Sequence, residues 1–226
     1  MEKKQYKLCI EVLRRMSKSG VLKNVLLIGS WCVPFYKEYF SGLKYATAIR
    51  TRDMDFLIPF PSKLKKKVNI PELLKDLGFV VGFRGRDGYI KLEHPELIIE
   101  FLVPERGGGL DKPYPLPQLG LNAQTLRFLN YLTQCAINIS VKGISINLPH
   151  PAHFALHKVI ISPRRRSEEK AKKDKAMAIA ILKLLIKKGE ADSIKQAFNL
   201  APQKWQRKII AELKKSKEED ILGKIS

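Results

Sequence analysis

Apolar residues near the start of the chain fall at Tyr6, Ile10, Leu13 and Met16, the three- and four-residue spacing of an amphipathic helix. A compact apolar run follows, Val25-Leu26-Leu27-Ile28, broken by Gly29-Ser30. It predicts a strand ending in a sharp turn, with Ser30 placed to cap a helix from Trp31 to Phe40. Pro34 lies inside the first turn of that helix, where its missing amide does little harm. The alternation in DMDFLI predicts a second strand, and a short helix from Pro71 to Leu77 comes next. Phe79 to Leu92 reads as a hairpin turning at Arg86-Asp87-Gly88, and ELIIEFLV is apolar enough for a central strand. Residues 104–120, with Gly107 to Gly109 and several prolines, read as a loop or hinge. Residues 122–134 are expected to be helical, and INISVKGISINL to be a hairpin turning at Lys142-Gly143. Beyond Pro149 the pattern is helical: His153 to Ile161, a Ser167 cap leading to Lys188, Asp192 to Asn199, and Pro202 to Lys215. The tail SKEEDILGKIS is expected to fray.

These elements give an α/β (α+β) chain: a small mixed sheet with flanking helices, then a mainly helical C-terminal part. The expected division is a first domain over 1–120 and a basic, mainly helical second domain with a short hairpin over 121–226. A length of 226 residues and 45% hydrophobic content suit such a core. Charge changes the picture more. Lys and Arg exceed Asp and Glu by 20, and they cluster at Lys63 to Lys67 and at Arg164, Arg165, Arg166, Lys170, Lys172 and Lys173. Such a field attracts polyanions and makes a nucleic acid a natural partner, although charge runs also serve simply as solvated faces. Cys9, Cys32 and Cys135 are odd in number and set among apolar residues, so they read as reduced packing residues. The start of the chain lacks the apolar core of a signal peptide, and the run AMAIAIL is too short to span a bilayer. The expectation is a cytoplasmic protein with no membrane partner.

The candidate chemistry begins with Asp53 and Asp55, which a strand puts on one face while Met54 and Phe56 point to the other. At a separation of ~6 Å and an effective dielectric of ~20 the two carboxylates repel by about 3 kcal/mol, a cost that a divalent cation turns into attraction. A two-metal phosphoryl-transfer site needs a third acid from a neighbouring strand, and Glu100 is the candidate. Burying Glu100 unpaired in ELIIEFLV would cost several kcal/mol. A metal or one of the many lysines and arginines must therefore meet it. Gly29-Ser30 ahead of a helix offers outward-facing amides, a ready site for phosphate. His153 and His157, four apart, have zinc-like spacing without an acidic or cysteine partner nearby, and fit a packing or phosphate-contact role better.

Gly29-Ser30, then Asp53-x-Asp55, then a hydrophobic-flanked Glu100 resemble the pattern of the polymerase-beta-like nucleotidyltransferase superfamily. The Thr-x-Asp-x-Asp-Phe string is most similar to bacterial toxin-type, abortive-infection members. The third acid is Glu where Asp is commoner. The resemblance implies transfer of an NMP from an NTP to an acceptor hydroxyl. Gly29 and Ser30 would hold nucleotide, and Asp53, Asp55 and Glu100 would bind two Mg²⁺, or Mn²⁺ in their place. It also implies roles for Lys158 near the triphosphate and for Asp174 as its orienting partner. Asp174 falls on the apolar stripe of its helix with Ala171, Ala178, Ile181 and Leu185, so a structural Lys158–Asp174 ion pair is an equal reading. The acceptor stays open among an RNA such as a tRNA 3′ end, a protein hydroxyl and a small alcohol. Toxin-type kinship adds a cognate antitoxin as a partner. A non-catalytic, basic nucleic-acid-binding protein on a degenerate transferase fold is the competing class.

Overall fold

The computed structural model describes residues 3–45, 51–60, 62, 64–85, 88–105, 112–165 and 167–225. The elements run α1 (Lys3–Lys18), β1 (Leu26–Ile28), α2 (Cys32–Tyr39), β2 (Asp53–Leu57), α3 (Ile70–Leu74), β3 (Val80–Arg84), β4 (Tyr89–Glu93) and β5 (Ile98–Pro104). They continue β6 (Tyr114–Leu116), β7 (Leu121–Leu126), α4 (Leu129–Thr133), β8 (Ala136–Val141), β9 (Ile144–Pro149) and α5 (Pro151–Ile161). The chain closes with α6 (Glu168–Lys187), α7 (Ala191–Leu200), α8 (Gln203–Lys215) and α9 (Glu219–Ile225). It divides into two compact units, residues 1–39 with 45–148 and residues 40–44 with 149–226. The boundary read from the sequence lies at 120, whereas here the β8–β9 hairpin belongs to the first unit.

In the first unit the strands form a mixed sheet in the order β1-β2-β5-β4-β3, with β7 also on β5 and β6 on β7. Strands β2 and β5 are parallel neighbours, Met54 facing Ile99 and Phe56 facing Phe101. One face of the sheet is wholly apolar here: Leu27, Met54, Phe56, Ile99 and Phe101 are buried, and the Phe56 and Phe101 rings stack at 5.5 Å. On the other face Leu26, Ile28, Leu57 and Leu102 pack with Leu129 and Leu132 of α4. Side chains alternate along β2, so Asp53, Asp55 and Leu57 share this second face and run from exposed through half-buried to fully buried. The carboxylates thus stand where an apolar floor meets solvent.

Several sequence expectations change. Residues 121–126 form strand β7 rather than the start of a helix over 122–134; Leu121 and Ala123 are buried in alternation, and Leu102 pairs with Gln124. Only Leu129–Thr133 is helical there. Within the segment read as a loop, Tyr114–Leu116 is a strand paired to β7, while Gly107 to Gly109 lie outside the described residues. The β3–β4 hairpin forms as expected; its turn residues Arg86 and Asp87 lie outside the described residues. The β8–β9 hairpin turns at Lys142 (φ 50°) and Gly143 (φ 74°), positive at both positions as a tight two-residue turn demands.

In the second unit α5 is buried along Pro151–Ile160 and packs on α6, α7 and α8. Helix α6 starts where expected, the Ser167 hydroxyl accepting from the Lys170 amide at 3.3 Å. The tail does not fray: α9 contacts α6, α7 and α8, and Ile221 and Ile225, four apart on one helix face, are buried. Among the described residues no helix is long and apolar enough to cross a membrane.

Candidate active site

The parallel register of β2 and β5 sets Asp55 directly beside Glu100. Adjacent strands lie ~4.8 Å apart, and residues in register point to the same face, so the Asp55 and Glu100 carboxylates share a neighbourhood with Asp53 one step along β2. Behind them β1 ends at Ile28, in register with Asp55, and the chain leaves through a single 3-10 turn, Gly29–Trp31, into α2. Ser30 lies within that turn, and α2 itself begins at Cys32 rather than at the Trp31 expected from a Ser30 cap. Gly29 is demanded twice over. Its φ is 72°, and a Cβ there would overlap the Asp55 carboxylate oxygen. The glycine thus lets Asp55 lie against the turn.

Glu100 is not left to a metal alone. Its side chain is 13% exposed, and its Oε1 forms an ion pair with the Lys91 ammonium from β4, equally buried. The exposed Arg84 guanidinium on β3 lies 3.8 Å from the same oxygen. Among the described residues no three His, Cys, Asp or Glu side chains are grouped so as to hold a metal ion. The donors that fit a hard cation are carboxylates in the right place, Asp53 and Asp55 on one face, but Glu100 is turned to a lysine.

In the second unit Lys158 of α5 and Asp174 of α6 meet. Lys158 Nζ donates to Asp174 Oδ1 at 2.7 Å, and Arg165 Nε donates to Oδ2 at 2.7 Å. Lys158 and Asp174 are both buried. Burial alone would raise the Asp174 carboxyl, but the Lys158 ammonium and Arg165 guanidinium outweigh it and hold its pKa below the ordinary carboxylate range. Beside them, burial and then the charges of Lys158 and Arg165 push the His157 imidazole down to about 3.

Residues 7–203 match the family profile described as nucleotidyltransferase. The chain belongs to this nucleotidyltransferase family. Solved structures to which the enzyme is similar include ANT(2'')-Ia, an antibiotic-resistance factor described in solution with substrate-regulated conformation dynamics. That match has 10% identity, 88% of this chain, 97% of that chain and a TM-score of 0.46. The crystal structure of ANT(2'')-Ia with adenylyl-2''-tobramycin matches at 10% identity over 95% and 99% of the two chains, TM-score 0.47. An antigenic nucleotidyltransferase-like protein from Paracoccidioides brasiliensis matches at 15% identity over 96% and 91%, TM-score 0.49. No curated protein matches the sequence.

Of the residues singled out in this nucleotidyltransferase, Asp53, Asp55, Glu100, Gly29 and Ser30 gather in the first unit, and Lys158 and Asp174 pair in the second. The basic cluster is not uniform. Arg165 is committed to Asp174, and Lys172 pairs with Glu168 at 2.8 Å on the same helix. Arg164, Lys170 and Lys173 are exposed, and Arg166 lies outside the described residues. Cys9 and Cys32 are buried reduced thiols, and Cys135 is a half-buried one. His153 and His157 are buried in the nucleotidyltransferase's second unit, with no metal-holding group among the described residues. Lys91 was missed by the sequence reading. Its signal was a cation between Ile90 and Leu92 in a strand adjacent to a half-buried glutamate, which only the register reveals.

Proposed function

We propose that this nucleotidyltransferase moves an NMP from an NTP to a hydroxyl of an RNA acceptor, a tRNA 3′ end being the leading case. The observation that carries the reading is the register that sets Asp55 beside Glu100, with Asp53 on the same face and Gly29 open against Asp55. Asp53 and Asp55 are the residues that would hold Mg²⁺, or Mn²⁺, together with triphosphate oxygens. A bound divalent ion supplies charge neutralisation at the transferring phosphate. Gly29 and Ser30 let the phosphates approach the backbone at the turn. Glu100 faces the acceptor hydroxyl. Catalysis by these residues is positioning and electrostatic balance, as phosphoryl transfer requires.

An RNA acceptor is favoured over a small alcohol by the cations around the carboxylates, Lys91 and Arg84, and by the net charge of +20. A site built for a polycationic small molecule would instead need acidic surroundings. The test is incubation with each labelled NTP, Mg²⁺ and total RNA. Label in RNA that Asp53→Asn abolishes supports the reading. Label in a small alcohol or a protein replaces the acceptor, and RNA binding without transfer from any NTP marks a non-catalytic binding protein. A toxin role predicts that expression arrests growth, that Asp53→Asn relieves the arrest, and that an antitoxin is co-encoded.

A further inference from the structure

We propose that Arg84 is the acceptor-binding residue of this site, its guanidinium gripping the last phosphodiester of a single-stranded RNA end while the terminal hydroxyl meets Glu100. The inference rests on the proposed function and deepens it, naming the feature by which an RNA end is told from a small alcohol. Strand β3 is the last of its sheet, and Arg84 shares a face with Gly82, which stands opposite Lys91. Leu92 faces Ile99, so one step along that antiparallel pair Lys91 stands across from Glu100. Arg84, Lys91 and Glu100 therefore occupy one face, and both cations approach the same Glu100 oxygen.

The two cations are not equivalent. Lys91 is 13% exposed and in direct contact with Glu100 Oε1, so its charge is committed to the carboxylate. Arg84 is 63% exposed and stays 3.8 Å away, beyond hydrogen-bond reach, and among the described residues that approach is its one ion pair. A fork of guanidinium donors thus stands at the edge of the site, in the geometry that takes two oxygens of one phosphate.

Position decides which phosphate. Strands lie ~4.8 Å apart, so β3 stands about 14 Å from β2, three spacings away, on the far side of Glu100 from Asp53, Asp55 and the Gly29 turn. The Arg84 guanidinium ends beside Glu100 on β5, one strand short of β2. An NTP held at Asp53 and Asp55 is out of its reach, whereas a hydroxyl at Glu100 brings its own phosphate beside it. At the other end of the face the Glu93 carboxylate lies over Gly82, where a Cβ would fall 2.9 Å from its Oε1, and repels phosphate from that end.

The test uses 5′-labelled oligoribonucleotides ending in a free 3′ hydroxyl, the last phosphodiester either natural or replaced by a neutral methylphosphonate, and reads Kd by fluorescence anisotropy. The wild-type chain should bind the methylphosphonate about 10- to 100-fold more weakly, the loss expected of a hydrogen bond to a charged group. Arg84→Gln should bind the two alike. Arg84→Lys, which keeps the charge without the fork, should keep only part of the preference and stands in should Arg84→Gln fold poorly. Equal binding of the two oligonucleotides by wild type, the full preference in a folded Arg84→Gln, or binding of neither by wild type would overturn the proposal. Anisotropy needs no NTP. A chain that shows the Arg84-dependent preference yet labels no RNA sinks the transfer reading alone, and one that labels RNA without that preference sinks the Arg84 assignment alone.

Discussion

At the residue scale the carboxylates of this site differ in what surrounds them, and that difference separates their mutants. Asp53 is exposed beside Asp55, so neutralising it removes repulsion and takes nothing from the fold. Glu100 is the partner of Lys91, with both side chains 13% exposed, so neutralising it strands a partly buried ammonium. Asp53→Asn should therefore unfold no more easily than wild type in urea, while Glu100→Gln should lose about 1–3 kcal/mol. Both should cut transfer by at least about 10²-fold. Equal stabilities for the two variants would show that the Lys91 pair contributes nothing to the fold. Gly29 belongs to the same scale, because any Cβ there would displace the Asp55 carboxylate that its absence admits.

At the element scale α5 and α6 are joined by a buried pair whose halves are unequal to their sum. Removing either Lys158 or Asp174 leaves an uncompensated buried charge, a loss of about 3–5 kcal/mol, whereas removing both leaves only Arg165, which is 40% exposed. Lys158→Met/Asp174→Asn should thus recover most of the stability that Asp174→Asn loses, measured by denaturant melts. If the roles implied by the family resemblance hold, transfer stays lost in the double variant, and its return together with stability would make the pair purely structural. The neighbouring His157 sets an acid limit. With a folded pKa of about 3 against an ordinary 6.5, its unfolded form takes the proton first, so stability is complete above pH 6.5 and falls as pH drops toward 3. His157 should contribute a loss of about 2 kcal/mol between pH 7 and 5. His157→Leu should flatten the pH profile by that amount, and an unchanged slope would mean that the imidazole is not held neutral.

These elements also show what the sequence made legible. The Asp-x-Asp strand, the Glu100 strand, the Ser167 cap and the inward Asp174 were readable because alternation and helical spacing are local. Strand β7 was misread because LNAQTL has no strong period, and its strand state comes from pairing with β5. Lys91 and Arg165 were missed as partners because register and the turn before α6 bring them to their carboxylates. Local pattern names the acids, and Lys158 among their partners, but not the cations that register and turn geometry bring in.

At the scale of the whole molecule the net charge is +20, and the basic cluster divides into residues paired with carboxylates and residues exposed to solvent. Arg165 holds Asp174, so its removal would confound binding with stability. Lys170 and Lys173 are exposed, and replacing both by Gln should leave the melt unchanged. If they guide an RNA acceptor, the replacement raises KM for that RNA and leaves kcat nearly constant, since such contacts serve ground and transition states alike. Each phosphate contact on a single strand contributes ~0.7 to the slope of log affinity against log salt, so losing two lowers that slope by about 1.4. NTP affinity without acceptor should stay as in wild type. A solvated helix face predicts no change in KM or slope, and that result would remove these residues from the acceptor path.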